Sequence, residues 1–316
     1  MDQIKEILTS WQAMDVINIA NDDDHVLMYL LGLLDDDDST IRLRALVAIG
    51  KLLEDSDAGV RTLILNQGFM SLAGRLTDED PRVVYRALEV LTPLLENASL
   101  DEERFIVLLD AAAQVMAGGD TLTCLSILDL FERVQVPPLG KDGLSKVRSL
   151  VFSDSLWARL LGLRVLLNMG TIAGYWEFLA ASMASLLSSG NALMIELGID
   201  FLEEVLEFHV TPEMMRRLVR FTSLLRAVET GEENVFLRTR AGKVRKDLEN
   251  ALFSYYSSRH EEALEAVRSL LSDGRGEDAL FLLFIIGKTD LLLRMWEENG
   301  GIEPELIEVL RPSRSV

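Results

Sequence analysis

One cysteine, Cys124, is all that 316 residues contain, and it excludes an intramolecular disulfide. It sits in the apolar run Leu122–Leu130 with no base beside it, so it reads as a small buried side chain and not as a catalytic thiol. Histidine is almost as scarce: three in the whole chain, too few for a site that needs several imidazole ligands. Long apolar runs are missing. The most apolar stretch, Ala279–Gly287, is too short to span a bilayer and gives way to Lys288 and Asp290, while the Leu-rich segment 156–187 is interrupted by Arg159, Arg164 and Glu177. Met1-Asp2-Gln3-Ile4-Lys5-Glu6 lacks the basic start and apolar core of a signal peptide. The expectation is a soluble chain in a reducing compartment, the cytoplasm, with no membrane contact.

Positive charge is short as well. Against 51 Asp and Glu stand 31 Lys and Arg, a net charge of −20. A nucleic-acid binder carries a basic footprint, and this chain as a whole is repelled by phosphate backbones and anionic lipids. The acidity serves solubility, or it recruits a basic partner. No glycine-rich phosphate loop and no nucleophile elbow occurs; Gly118-Gly119-Asp120 and Gly300-Gly301 read as helix stops. Asp22-Asp23-Asp24 and Asp35-Asp36-Asp37-Asp38 offer hard oxygen ligands but lack the spacing, glycine and distant Glu of a calcium loop; helix capping explains both. His260-Glu261 is a single His-Glu pair, since His25 and His209 are followed by valine, and it reads as a helix start. No catalytic residue, metal ligand or cofactor site is assigned.

What the chain has is helix. Hydrophobic residues make up 49% and charged residues 26%, only seven prolines interrupt, and strand-type alternation never persists. Strong helical segments open at Thr40-Ile41, Pro81-Arg82, Thr121-Leu122, Ser155-Leu156, Ala192-Leu193, Asn234-Val235 and Glu277-Asp278, about 34 to 43 residues apart, the interval of helix-pair repeats. Two of them agree residue by residue. Asp36-Asp37-Asp38-Ser39-Thr40-Ile41-Arg42-Leu43-Arg44-Ala45-Leu46 and Asp78-Glu79-Asp80-Pro81-Arg82-Val83-Val84-Tyr85-Arg86-Ala87-Leu88 both set acids at the turn, a β-branched residue and then Arg-Ala-Leu. The turn acids cap the following helix and complement its dipole. Pro81 suits a first helical turn, and the small Ala45 and Ala87 admit a close neighbour. Later copies drift: Asp154-Ser155 keeps a cap, and Ser188-Ser189-Gly190-Asn191 replaces the acids with other turn residues.

The acid-turn, β-branched, Arg-Ala pattern resembles HEAT repeats. The stretch Leu63–Leu72, followed by Arg75-Leu76 and Asp78–Leu95, is similar to an armadillo unit, in which a short helix ends at a glycine, here Gly68, and two more helices follow. The resemblance is clear over roughly 20 to 190 and beyond that rests on periodicity. It implies an all-α, right-handed alpha-alpha superhelix of about seven HEAT/ARM-like repeats. The expected organisation is a capping helix over 1–20 with Trp11 and Met14, repeats over 21–135, a breaker loop over 136–143 around Val136-Pro137-Pro138-Leu139-Gly140, repeats over 144–310, and a tail over 311–316.

Charge is unevenly spread. Residues 1–59 hold thirteen acids and four bases, and residues 214–246 hold nine bases and three acids. Two groups of candidate partner-binding residues follow. Arg44 and Arg86 occupy equivalent places in adjacent repeats and form a ladder if that face lines an inner curve; alternatively they make salt bridges within the array. Arg216, Arg217, Arg220, Arg238, Arg240, Lys243 and Arg245 form a basic segment for an acidic peptide, an acidic protein or phosphate, or else a solvated face balancing acidic neighbours. A solenoid without catalytic clusters reads as a non-enzymatic scaffold for another protein or peptide. The alternatives are a nucleic-acid-associated protein using 214–246 and, behind it, a HEAT-type metalloenzyme. An apolar end helix around Phe281–Trp296 offers a homodimer contact.

Overall fold

The computed structural model describes residues 24–55, 58–96, 98–207 and 211–287. The expected capping helix and tail, and the portion of the end helix past Gly287, lie outside them. Among the described residues the chain is helical throughout, with a single isolated backbone bridge, Ser99 to Gln135, where a sheet would be. It divides into two compact units, Met1–Gly174 and Tyr175–Val316.

The first unit contains α1 (Asp24–Gly32), α2 (Ser39–Asp55), α3 (Ala58–Leu63), α4 (Phe69–Gly74), α5 (Pro81–Leu95), α6 (Glu102–Gly118), α7 (Thr121–Arg133), α8 (Lys141–Val151) and α9 (Leu156–Asn168). They form two layers. In one, α1 packs on the wide helical turn Ile64–Gly68, α4 on α6 and α6 on α8; in the other, α2 packs on α5, α5 on α7 and α7 on α9. The second unit repeats the plan. The hairpins α10 (Trp176–Leu187) with α11 (Ala192–Glu207), α12 (Pro212–Gly231) with α13 (Val235–Tyr256), and α14 (His260–Ser272) with α15 (Gly276–Ile285) stack so that α10 meets α12 and α11 meets α13. The seven helix starts expected from the sequence are the starts of α2, α5, α7, α9, α11, α13 and α15, all second-layer helices.

Six of these seven helices, all but α15, are set by a side-chain cap. The carboxylates of Asp38, Asp80 and Asp120 accept amide protons of the first turns of α2, α5 and α7 at 2.8, 3.0 and 2.9 Å. Ser155, Asn191 and Asn234 do the same for α9, α11 and α13. Seven residues after the cap stands a small buried residue in every one of these helices except α7: Ala45, Ala87, Gly162, Gly198 and Ala241, against Ile127 in α7. There the first-layer helix comes closest. A Cβ at Gly162 would stand 2.8 Å from the backbone nitrogen of Val151 in α8, and one at Gly198 would stand 3.0 Å from Leu186 Cβ in α10. Packing this tight leaves no volume for even one added methyl group.

Two local expectations are refined. Gly68 does not end a helix: the chain runs through it in the wide turn because Leu31 lies against its Cα, where a Cβ would come within 2.5 Å of a leucine methyl. The breaker loop ends at Gly140, and Lys141-Asp142-Gly143 forms the first turn of α8. Glu102 Oε1 accepts the Gly140 amide at 2.7 Å, Asp142 suits the positive helix end, and Gly143 lies inside the helix against Glu102 and Ile106. The loop belongs to the interior of the first unit.

One buried ion pair ties adjacent repeats. Arg42, in the first turn of α2, grips Asp78 with Nε at 2.8 Å and Nη2 at 2.7 Å, and its Nη1 donates to the carbonyls of Asp36 and Asp37 at 2.8 and 3.0 Å. The two side chains are 7% and 1% exposed. Asp78 also accepts from the Asp80 amide at 3.0 Å and Arg75 Nη1 at 3.1 Å. Burial alone would lift the Asp78 pKa; the Arg42 and backbone hydrogen bonds outweigh it and hold the carboxyl below its ordinary value. Arg42→Met leaves the buried Asp78 carboxylate with only Arg75 and the Asp80 amide, so we expect a loss of about 2–3 kcal/mol at neutral pH in urea unfolding. In the wild-type protein the depressed folded pKa contributes stability above the ordinary Asp pKa of about 4, lost as pH falls through the lower folded value. In the variant, protonation relieves the buried carboxyl. The stability gap between the two proteins therefore narrows on acidification; a gap independent of pH contradicts this assignment.

Candidate binding surface

Six residues after the cap, one place before the small residue, the second-layer helices carry Arg44, Arg86, Ser126, Leu161, Leu197 and Arg240. In α5, α7 and α13 this position faces the furrow shared with the preceding second-layer helix. Arg86 lies over α2, with its Nη2 3.0 Å from where a Gly50 Cβ would stand, and its Nη1 pairs with Glu89 at 2.6 Å. Arg240 lies over α11: its Nη2 bonds Asp200 at 2.5 Å and also reaches Glu203. Burial works against the Arg240 charge, and the two carboxylates outweigh it, so its pKa lies above the ordinary guanidinium value. Ser126 fills nothing. Its hydroxyl turns back to the Leu122 carbonyl of its own helix at 3.0 Å.

An open groove of ≈ 720 Å³ results, across α2, α5 and α7. Its walls are Gly50, Leu53 and Glu54 from α2, Tyr85, Arg86, Glu89, Thr92 and Pro93 from α5, and Leu125, Ser126 and Asp129 from α7. Tyr85 is 55% exposed at the rim. Thr92 is also turned inward, donating to Leu88 O at 2.9 Å. Sequence reasoning named Arg86 on this surface but not Tyr85, Glu89, Ser126 or Asp129. The signal lies in the register: counting from each cap, α7 alone of the six carries a short side chain, Ser126, where the others carry arginine or leucine.

The nine candidate cations are spread over both units. Arg44 and Arg86 are half-buried in the second layer of the first. In the second unit Arg216 Nη1 donates to Ser269 Oγ at 2.9 Å, Arg217 lies 3.5 Å from both Glu177 and Glu213, and Arg245 Nε bonds Glu229 at 2.8 Å while its Nη1 holds Glu249. The Glu229 bond, opposed by burial, raises the Arg245 pKa and lowers that of Glu229. These arginines, with Arg240, spend their donors joining helices. Arg220, Arg238 and Lys243 are exposed. The first lies on α12 and the other two on α13, in different layers. The apolar stripe of α13 ends on buried Tyr256, and the neighbouring Tyr255 donates its hydroxyl to Glu262 at 2.8 Å.

The Asp35–Asp38 run is occupied by its own surroundings: Asp35 accepts from Ser71 at 2.8 Å and Arg75 at 3.2 Å, Asp36 from the Asp38 amide at 3.0 Å, and Asp38 from the Thr40 amide. His260 opens α14 and is exposed. No group of three or more His, Cys, Asp or Glu among the described residues is arranged to hold a metal ion, and no helix there is long and apolar enough to cross a membrane.

The fold is shared with a solved archaeal HEAT-like repeat protein from Thermococcus onnurineus, at 24% identity and a TM-score of 0.64, over 79% of this chain and 97% of that one. A designed armadillo repeat protein (12% identity, TM-score 0.43, 70% and 99% of the two chains) and importin beta (14%, 0.49, 82% and 35%) are more distant. No protein-family model and no curated protein matches the sequence. The chain is a helical repeat protein of the HEAT/armadillo type, all-α and built from stacked helix pairs.

Cys124 is fully buried in α7, its Sγ 3.8 Å from Gly119 O, and burial reinforced by Asp120 pushes its pKa up to about 11. At pH 8 only about one thiol in a thousand is then ionised, against roughly one in four for a free cysteine. Iodoacetamide should leave the native protein unmodified and label it once in denaturant, read by intact mass. Stoichiometric labelling of the native protein within minutes contradicts a buried, inert thiol.

Proposed function

We propose that this chain is a non-enzymatic scaffold that holds another protein along its second-layer face, and that it works in the cytoplasm, where a lone cysteine stays reduced. The groove of ≈ 720 Å³ carries the proposal, because it offers the features that dominate protein interfaces: an exposed aromatic ring, Tyr85, beside a half-buried arginine, Arg86. Three successive helices supply its walls, so an extended segment of partner contacts several repeats at once. Arg44 shares the register of Arg86 and extends the contact. Arg220, Arg238 and Lys243 are the cations of the basic segment that remain open to an acidic partner.

Affinity capture with the wild-type chain and with the double variant Tyr85→Ala, Arg86→Ala tests this. The expected result is one protein recovered in near-stoichiometric amount by the wild type and at least about tenfold less by the variant. Recovery that ignores both substitutions, or a wild-type chain that repeatedly captures nothing, overturns the proposal.

A further inference from the structure

The repeats themselves indicate what the groove accepts. In the α11/α13 furrow a guanidinium from the sixth position after the cap, Arg240, lies across the carboxylates nine and twelve residues after the preceding cap, Asp200 and Glu203. In the α2/α5 furrow the guanidinium of Arg86 covers Gly50. Between α5 and α7 the same register brings Glu89 and Thr92, nine and twelve after Asp80, opposite Ser126, six after Asp120. A serine stands where Arg86 and Arg240 stand in those two furrows (leucine takes the place in α9 and α11), and it is bonded back to its own helix. The open groove lies beside this short side chain and has room for a guanidinium from outside.

We infer that the α5/α7 furrow binds an arginine side chain supplied by an extended segment of the partner protein, its guanidinium lying over Ser126 against Glu89 and Asp129. The inference rests on the scaffold reading and adds the chemistry of the partner. Charge favours it. Glu54, Glu89 and Asp129 line the groove with Arg86 as the one cation on its walls. Their existing pairs are within single helices: Lys51 with Glu54 and Arg133 with Asp129 are exposed, and Arg86, half-buried, pairs with Glu89. Pairs of that kind contribute only about 0.3–0.5 kcal/mol each, so Lys51 and Arg133 turn to water at little cost when a second cation arrives. An arginine fits better than a lysine, because its planar fork presents separate donors in a fixed geometry to two carboxylates at once. Tyr85 at the rim offers a ring face for the guanidinium or for the partner's backbone.

The test uses the full chain and a capped, fluorescein-labelled peptide of alternating alanine and arginine, followed by polarisation. Versions with lysine or citrulline in place of arginine separate fork geometry and charge. The arginine peptide should bind the wild type at least about tenfold more tightly than the citrulline peptide. Ser126→Arg closes the furrow with the protein's own guanidinium and should weaken the arginine peptide about tenfold, with thermal unfolding unchanged or raised. Glu89→Gln should weaken it without filling the space, which covers the case in which Ser126→Arg misfolds. Glu103→Gln, an exposed carboxylate of α6 in the other layer, removes the same charge and should change nothing. No binding to the wild type, or equal binding to Ser126→Arg, Glu89→Gln and Glu103→Gln, overturns the inference. If capture of the partner depends on Tyr85 and Arg86 but ignores Ser126→Arg, the scaffold stands and the arginine does not.

Discussion

No helix pair in this chain can enclose its own apolar surface. The helix α9 makes the constraint plain: its residues from Leu160 to Leu167 are buried without a break, Arg164 included, so every face of the helix is covered by a neighbour. Such a helix has no solvent side and is stable only inside a row of others. Closeness follows from the small residue seven places after every cap but that of α7; at Gly162 and Gly198 the first layer lies so near that an added methyl group no longer fits. The caps fix the helix starts and the small residues fix the depth of contact. Between them they set the register in which every other side chain falls.

That register also determines the surface. In α5, α7 and α13 the residue six places after the cap meets the furrow toward the preceding repeat, so its identity decides whether that furrow is filled. Arginine fills it in α5 and α13, and serine leaves it open in α7. On the proposed reading, binding needs no separate site architecture: a short side chain at a repeated position leaves a furrow open to a partner. The arginines that fill their furrows work within the chain, which is why a cluster of basic residues in sequence is distributed between interhelical bonds and scattered exposed positions.

Much of the fold was legible in the sequence, because caps and small residues are local signals. Asp38, Asp80, Asp120, Ser155, Asn191 and Asn234 announced their helices, and Ala45 and Ala87 announced the close contacts. The extent of the loop after Pro137 was read too far, since Lys141-Asp142-Gly143 looks like a turn until Glu102, 38 residues away, is seen holding the Gly140 amide. Arg42 was passed over for the same kind of reason. Its counterpart in the next repeat is Val84, so no repeated pattern marks it, and its worth depends on Asp78 being buried beside it. The groove was partly legible: Arg86 stood out by repetition, while Ser126 signals only by the absence of an arginine, which becomes visible after the helices are aligned on their caps.

Stacking between nearest neighbours is the claim on which these relations depend, and Gly162→Val tests it most directly, since any side chain there meets the backbone of α8 at 2.8 Å. Hydrogen exchange of the full-length variant, followed by mass spectrometry, should show protection lost in α8 and α9 and reduced in α6 and α7, with α11 to α13 close to the wild type. Protection lost evenly from α1 to α15 would contradict it and make the chain a single cooperative core.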